Sequence, residues 1–201
     1  MVAARTHNTA PLERELPAPH LFTVDEYYRM VDAGLLTEDS RVELIDGVIV
    51  DMPPIGPGHS GNVNWFTDVF RELFGGAAQL SIQNPLRLGL RMEPQPDVML
   101  LRIREDHYRR SHPGPDDVLL LVEVADSSLS YDRKTKARIY ARAGIADYWI
   151  VNRVDLVVEV HRDPARSRYR SVEVLKRGDV IRPLAFPDLS IAVGDILGEE
   201  P

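Results

Sequence analysis

The chain has 201 residues, 44% of them apolar, enough for one domain with a core of its own. Acidic residues outnumber basic ones by 31 to 24, and the formal charge of −7 argues against a generic nucleic-acid coat or a polybasic membrane binder. There is no cysteine, which excludes disulfide scaffolds, thiolate metal sites and cysteine nucleophiles, and predicts a cytoplasmic setting. Any metal must then be held by oxygen or imidazole. The longest apolar run, Val118 to Val122, is far short of the roughly 20 residues of a membrane-spanning helix, and no signal-like segment opens the chain, so no membrane partner is expected.

Residues 1–20 carry three prolines, mixed charges and no periodicity, and read as a flexible arm. Thr23 is a candidate N-cap, followed by Asp25 and Glu26 in a first turn, by Tyr27, Met30 and Val31 at helical spacing, and by Gly34 as a stop. Arg41 to Met52 holds two β-rich runs around Asp46-Gly47, a strong hairpin signal. Pro53 to Gly61 reads as a Pro/Gly loop carrying His59, and Asn62 to Leu73 as a helix stopped by Gly75-Gly76. Leu80 to Leu90 reads as a strand pair or extended segment, Val98 to Leu101 as a short buried strand, and Ile103 to Pro115 as a polar, Arg-rich connection. Val118 to Ala125 (VLLLVEVA) reads as a central strand buried on both faces. A helix is expected over 131–143, closed by Gly144, then strands over 147–152, 156–162 and 169–175 and a β-rich stretch over 180–191. The order predicts a mixed α/β (α+β) domain over 21–197, built round one mixed sheet with a β-rich C-terminal part, and a tail over 198–201.

Glu123 is the most informative residue, because a lone ionised carboxylate inside an apolar strand costs several kcal/mol unless it is paired, protonated or metal-bound. It shares strand parity with Leu119, Leu121 and Ala125. A strand-end glutamate reaching solvent or an arginine would look the same. Asp97 follows two prolines and opens an apolar strand, a place where turn residues are also common. Asp132 and Lys136 are four apart, the spacing of an ordinary surface helix pair. Glu43 could face solvent on an amphipathic strand, and His59 could be a solvated loop residue. Taken together, an Asp, a Glu in a buried strand and a Lys on the next helix can converge on one point. Two carboxylates and a backbone carbonyl make an oxygen cage for Mg²⁺ or Mn²⁺, which can acidify a water and stabilise phosphoryl charge. A nearby ammonium would orient the nucleophile or offset transition-state charge. The set fits phosphodiester hydrolysis.

Several stretches carry a resemblance: Phe22-Thr-Val-Asp-Glu-Tyr27, Glu43-Leu-Ile-Asp-Gly47 with His59 after it, Pro96-Asp97-Val98, Val122-Glu-Val124, Tyr131-Asp-Arg-Lys-Thr-Lys136 and Tyr140-Ala-Arg-Ala-Gly-Ile-Ala-Asp-Tyr-Trp149. From about Leu21 to Leu197 the chain resembles the Uma2 (DUF820) group of restriction-endonuclease-like proteins in the PD-(D/E)XK nuclease superfamily. The resemblance implies a restriction-endonuclease-like core with a mixed sheet flanked by helices, a metal-dependent endonuclease acting on DNA, and a homodimer. It assigns Asp97, Glu123 and the Val124 carbonyl as metal ligands, with Glu43 holding a second metal or a water and Lys136 as the catalytic lysine. His59, Gln95, Asp132 and Lys134 are accessory positions, with Lys134 the other candidate lysine. Two departures stand out. Ala125 occupies the position where the superfamily pattern has lysine, and Ala125-Asp-Ser-Ser128 replaces the usual Ser-Pro after the core Glu-Val.

A nuclease-fold binding or regulatory module with little or no catalysis is the main competing reading, and a phosphatase or small-nucleotide hydrolase would use the same ligands. The charge is unevenly placed. Arg102–Arg110 has four basic residues against two acids, Asp132–Arg142 five against one, and Arg162–Arg177 six against two. The first two flank Val118–Ala125 and are expected to form a local phosphate-tracking surface on an acidic protein.

Overall fold

The computed structural model describes residues 18–54 and 56–198. The arm expected at 1–20 and the tail expected at 198–201 lie almost wholly outside the described residues.

Helix α1 (Val24–Asp32) starts where its capping residues place it. Thr23 Oγ1 accepts the Glu26 N–H at 3.2 Å while the Glu26 carboxylate accepts the Thr23 N–H at 2.8 Å, a reciprocal capping box. Strands β1 (Val42–Ile45) and β2 (Val48–Asp51) form the expected hairpin, with φ of 50° at Asp46 and 80° at Gly47. Positive φ at both positions is what a two-residue type I′ turn needs. Gly47 is required twice over, because a Cβ there would meet the Leu21 Cβ at 2.8 Å.

Helix α2 (Pro57–Phe74) begins five residues before the expected Asn62. Pro57 sits at its first position, where the missing N–H would have had no partner anyway. His59 therefore stands in the first helical turn and not in a loop. Val63, Phe66, Phe70 and Phe74 form the buried stripe, each aromatic contributing roughly 1.5–3 kcal/mol by leaving water.

Strands β3 (Gln79–Ile82), β4 (Val98–Leu101), β5 (Val118–Ala125), β6 (Asp147–Asn152), β7 (Val157–Ala165) and β8 (Arg168–Lys176) make one six-stranded sheet in chain order. Every pair is antiparallel except β5 with β6. A parallel pair needs a crossover, and the expected helix supplies it as three continuous pieces: α3 (Leu129–Tyr131), a π-helical turn (Asp132–Lys136) and α4 (Ala137–Ala143). Gly144 closes it in the left-handed conformation. The π turn has no counterpart in the sequence-based expectation. Residues 83–97, between β3 and β4, are largely irregular chain bridged to β1 at Leu44–Glu93. The β-rich stretch expected over 180–191 reduces to two two-residue strands, β9 (Val180–Ile181) and β10 (Ile191–Ala192), followed by α5 (Val193–Leu197). Pro183 and Pro187 interrupt it, since proline cannot donate to a ladder.

The sheet carries apolar cover on both faces. One cluster joins Phe66, Phe70 and Phe74 of α2 to Leu120, Val122 and Val124 of β5 and to α5. The other joins Ala137, Ile139 and Tyr140 of α4 to Leu121 and Ala125 of β5 and to Ile45 of the hairpin. Alternation along β5 thus sends Glu123 to the second face, under the crossover helix and the hairpin.

Candidate active site

Glu123 is 4% exposed and has no access to solvent at a strand end. Its Oε1 accepts a hydrogen bond from the Tyr140 hydroxyl at 2.6 Å and lies 3.5 Å from the Lys136 ammonium. Its Oε2 accepts the Asp97 N–H at 3.2 Å. Asp97 returns the contact to the same strand: its Oδ2 accepts the Val124 N–H at 2.9 Å. A pair of adjoining strands, one ending where the other emerges, therefore clamps the two carboxylates together. Asp97 is no free turn residue.

His59 Nε2 lies 3.0 Å from Asp97 Oδ1, and Gln83 Nε2 donates to the same oxygen at 3.3 Å. Burial works to raise the Asp97 carboxyl, but the bonds from His59, the Val124 N–H and Gln83 hold it below the usual range. The bond to Asp97 raises the His59 imidazole, against the opposing effect of burial.

Glu43 is 3% exposed, since β1 is buried on both faces, which rules out the solvent-facing reading. The Lys136 ammonium donates to its Oε2 at 2.8 Å and the Tyr131 hydroxyl to its Oε1 at 3.2 Å. Gln95 contributes its backbone: its N–H donates to Glu43 Oε2 at 3.1 Å. Asp132 and Lys136 are buried at 3% and 5% exposure and do not form the surface pair that their spacing allows. Asp132 is instead held by the Ser128 hydroxyl at 2.6 Å. Lys134 is exposed and does not border the cluster.

Burial pushes the Glu123 carboxyl well above its ordinary value; Lys136 opposes this, and the charges of Asp97 and Asp132 add to it. Burial likewise pushes Asp132 up to about 6, with Ser128 and Lys136 opposing and Asp97 and Glu43 adding. The Lys136 ammonium is stabilised in its charged form by Glu123 and Glu43, which outweigh its burial. The site thus holds more carboxylates than its cations can offset. Glu43, His59, Asp97, Glu123, Asp132 and Lys136 all border one cavity of about 730 Å³, whose rim includes the exposed Asp126.

Among the described residues, no three His, Asp or Glu side chains are arranged to hold one metal. The Asp97 and Glu123 carboxylates nevertheless supply hard oxygen donors on adjoining chain segments, joined through the Asp97 and Val124 N–H groups, in a place short of positive charge. Oxygen donors of this kind suit a hard divalent cation, which keeps several waters and needs few protein ligands. Ala125, in the superfamily's lysine position, is fully buried in the apolar cluster, while Lys136 delivers an ammonium from the crossover helix.

Sequence reasoning did not single out Tyr140, Tyr131, Gln83 or Ser128 as partners of the acids. Tyr140 lies four residues after Lys136, on the same helix face, and that spacing was the available signal. Gln83 is 14 residues from Asp97, just past the end of β3, and nothing local pointed to it. The basic stretch Asp132–Arg142 is mostly engaged internally: Arg133 binds Glu159, Lys136 binds Glu43, and Arg138 and Arg142 bind Asp46. Its expected role as a phosphate-tracking surface is correspondingly reduced.

No helix among the described residues is long and apolar enough to cross a membrane. No curated protein matches the chain. A solved structure described as a putative nuclease belonging to DUF820 from Anabaena variabilis ATCC 29413 has the same fold, with a TM-score of 0.66 at 16% identity over 88% of this chain and 97% of that one. The model of the Uma2 family, described as "Putative restriction endonuclease", matches residues 24–194. The chain belongs to the Uma2 family and has a nuclease-like fold.

Proposed function

We propose that the protein is a metal-dependent endonuclease that hydrolyses DNA phosphodiester bonds. The observation that carries this reading is the Asp97–Glu123 clamp, closed through the Asp97 and Val124 N–H groups, with the Lys136 ammonium 3.5 Å from Glu123. Asp97, Glu123 and the Val124 carbonyl would hold Mg²⁺ or Mn²⁺. When bound, such an ion supplies Lewis-acid stabilisation of phosphoryl charge and a more acidic water.

The chain's own groups do the rest. Tyr140 and the Asp97 N–H fix both oxygens of Glu123, so its carboxyl has one orientation before substrate arrives. Lys136, held by Glu43 and Glu123, places a fixed positive charge beside the position where a pentacoordinate phosphorus gathers negative charge. His59 and Gln83 steady Asp97 from the other side. Two copies related by a two-fold axis would present one site to each strand of a duplex.

The test is cleavage of plasmid DNA with Mn²⁺ or Mg²⁺. Asp97→Ala and Glu123→Ala are expected to abolish cleavage, and chelation to abolish it in the parent protein. Undiminished cleavage by folded Asp97→Ala would overturn the reading. Turnover of mononucleotides without DNA cleavage would move the substrate to a small phosphate ester.

A further inference from the structure

A second cavity, of about 440 Å³, shares the Tyr28 side chain with the acidic one. Its character is opposite: Arg87, Arg109, Arg110 and His112 border it, and Asp25 is its one acidic lining residue. The wall between the cavities is a bonded unit. The Tyr28 hydroxyl donates to Glu93 Oε1 at 2.7 Å and lies 2.8 Å from His112 Nε2, and Arg87 pairs with the other oxygen of Glu93.

The loop that presents the arginines is shaped in advance. His107 and Tyr108 both have positive φ, 50° and 60°. Such backbone costs free energy for side-chain-bearing residues and persists only when neighbours impose it. Here Asp106 binds the Arg104 guanidinium at 2.5 Å and accepts the Tyr108 N–H at 3.2 Å. The Tyr108 hydroxyl donates to the Arg102 carbonyl at 2.8 Å, and the Arg104 guanidinium lies 3.9 Å over the Tyr108 ring. Arg104, Asp106 and Tyr108 thus build the loop. The exposed Arg109 and Arg110 side chains make no ion pair among the described residues. With Arg87 paired to Glu93, Arg109 and Arg110 leave the cavity with more positive than negative charge, which suits a phosphodiester.

We infer that this basic cavity is a phosphate subsite that holds a backbone phosphodiester of the nucleic-acid strand whose reacting phosphate lies in the acidic cavity, and so sets that strand's register. The inference rests on the hydrolytic reading above only for what happens in the acidic cavity. A strand crossing the Tyr28 wall passes from one cavity to the other, and guanidinium forks suit phosphate oxygens.

The test is fluorescence anisotropy with a labelled DNA of about 20 nucleotides in EDTA, which reads binding without cleavage. Arg109→Ala/Arg110→Ala is expected to raise Kd about tenfold or more and to reduce the slope of log K against log salt by about 1 to 2. Arg109→Lys/Arg110→Lys is expected to restore the slope, with thermal midpoints unchanged in both. An unchanged Kd and slope in the alanine variant, or a parent protein that binds no oligonucleotide, overturns the inference. If calorimetry shows that the alanine variant loses inorganic phosphate while holding DNA as tightly as the parent, the ligand is a free anion and the inference is again overturned. If Asp97→Ala cleaves like the parent while the arginine variant loses DNA, the assignment of the reaction to the acidic cavity falls and the phosphate subsite stands.

Discussion

Glu123 and Glu159 lie in one row of the sheet, each paired in register with Ile150 between them. Both are 4% exposed, and the crossover helix supplies each with a cation from the same π turn. Their surroundings differ. Glu159 receives Arg133 through three contacts of 2.5 to 3.0 Å and the Asn152 amide at 2.9 Å. His161 Nε2 stands 3.7 Å away, too far for a hydrogen bond. Burial alone would raise the Glu159 carboxyl, yet these partners hold it down at about 2. Glu123 has one cation at 3.5 Å, shared with Glu43, and Asp97 and Asp132 as anionic neighbours, and is pushed the other way. A buried carboxylate whose charge is met by its own guanidinium is a structural fastener, and one set among other carboxylates with a shared cation is prepared for a charge that arrives later.

The largest expected effect is at the shared cation. Lys136→Met leaves Glu43 and Glu123 buried without compensation and should cost about 3–5 kcal/mol in urea unfolding, most of it recovered when Glu43→Gln and Glu123→Gln are added. A loss below about 1 kcal/mol would show that solvent reaches the pair. Next is Glu159→Gln, which should cost about 1–3 kcal/mol at neutral pH. The folded-state value of Glu159 is depressed, so its stabilisation is complete above about pH 4.5 and lost as pH falls towards 2. The gap between parent and variant should close over that window, and a gap independent of pH would refute the assignment. Glu123→Gln removes a negative charge from an over-supplied cluster and should be neutral or stabilising by up to about 1 kcal/mol in metal-free protein, although it lies in the same row. Lys134→Ala should change stability by less than about 0.5 kcal/mol.

Elements with local signals were legible in the sequence: the Thr23–Glu26 cap, the Asp46-Gly47 turn and the buried strand around Glu123. So was the set Glu43, Asp97, Glu123 and Lys136, which the fold brings to one cavity. His59 was misplaced because Gly58 and Gly61 read as loop residues, while Gly56 and Pro57 in fact start a helix. The pairing of Glu159 was hidden because Val157 to Val160 has no clean alternation and Arg133 lies 26 residues away. The π turn was hidden because the residues from Tyr131 to Ala143 look like ordinary helix formers.

That turn acts as a phase adjuster. Each residue of an α-helix advances the face by about 100°, so one residue more or fewer within a turn re-aims everything after it. Ahead of the turn Ser128 borders the cavity and bonds to Asp132 at the turn's first position, and after the turn Tyr140 meets Glu123. Deleting Thr135 would leave a straighter helix with every other side chain intact, yet Tyr140 would swing away from Glu123. The alignment of the acidic cavity therefore depends on residue count in this segment as much as on residue identity, and its length should tolerate change less than its exposed side chains do.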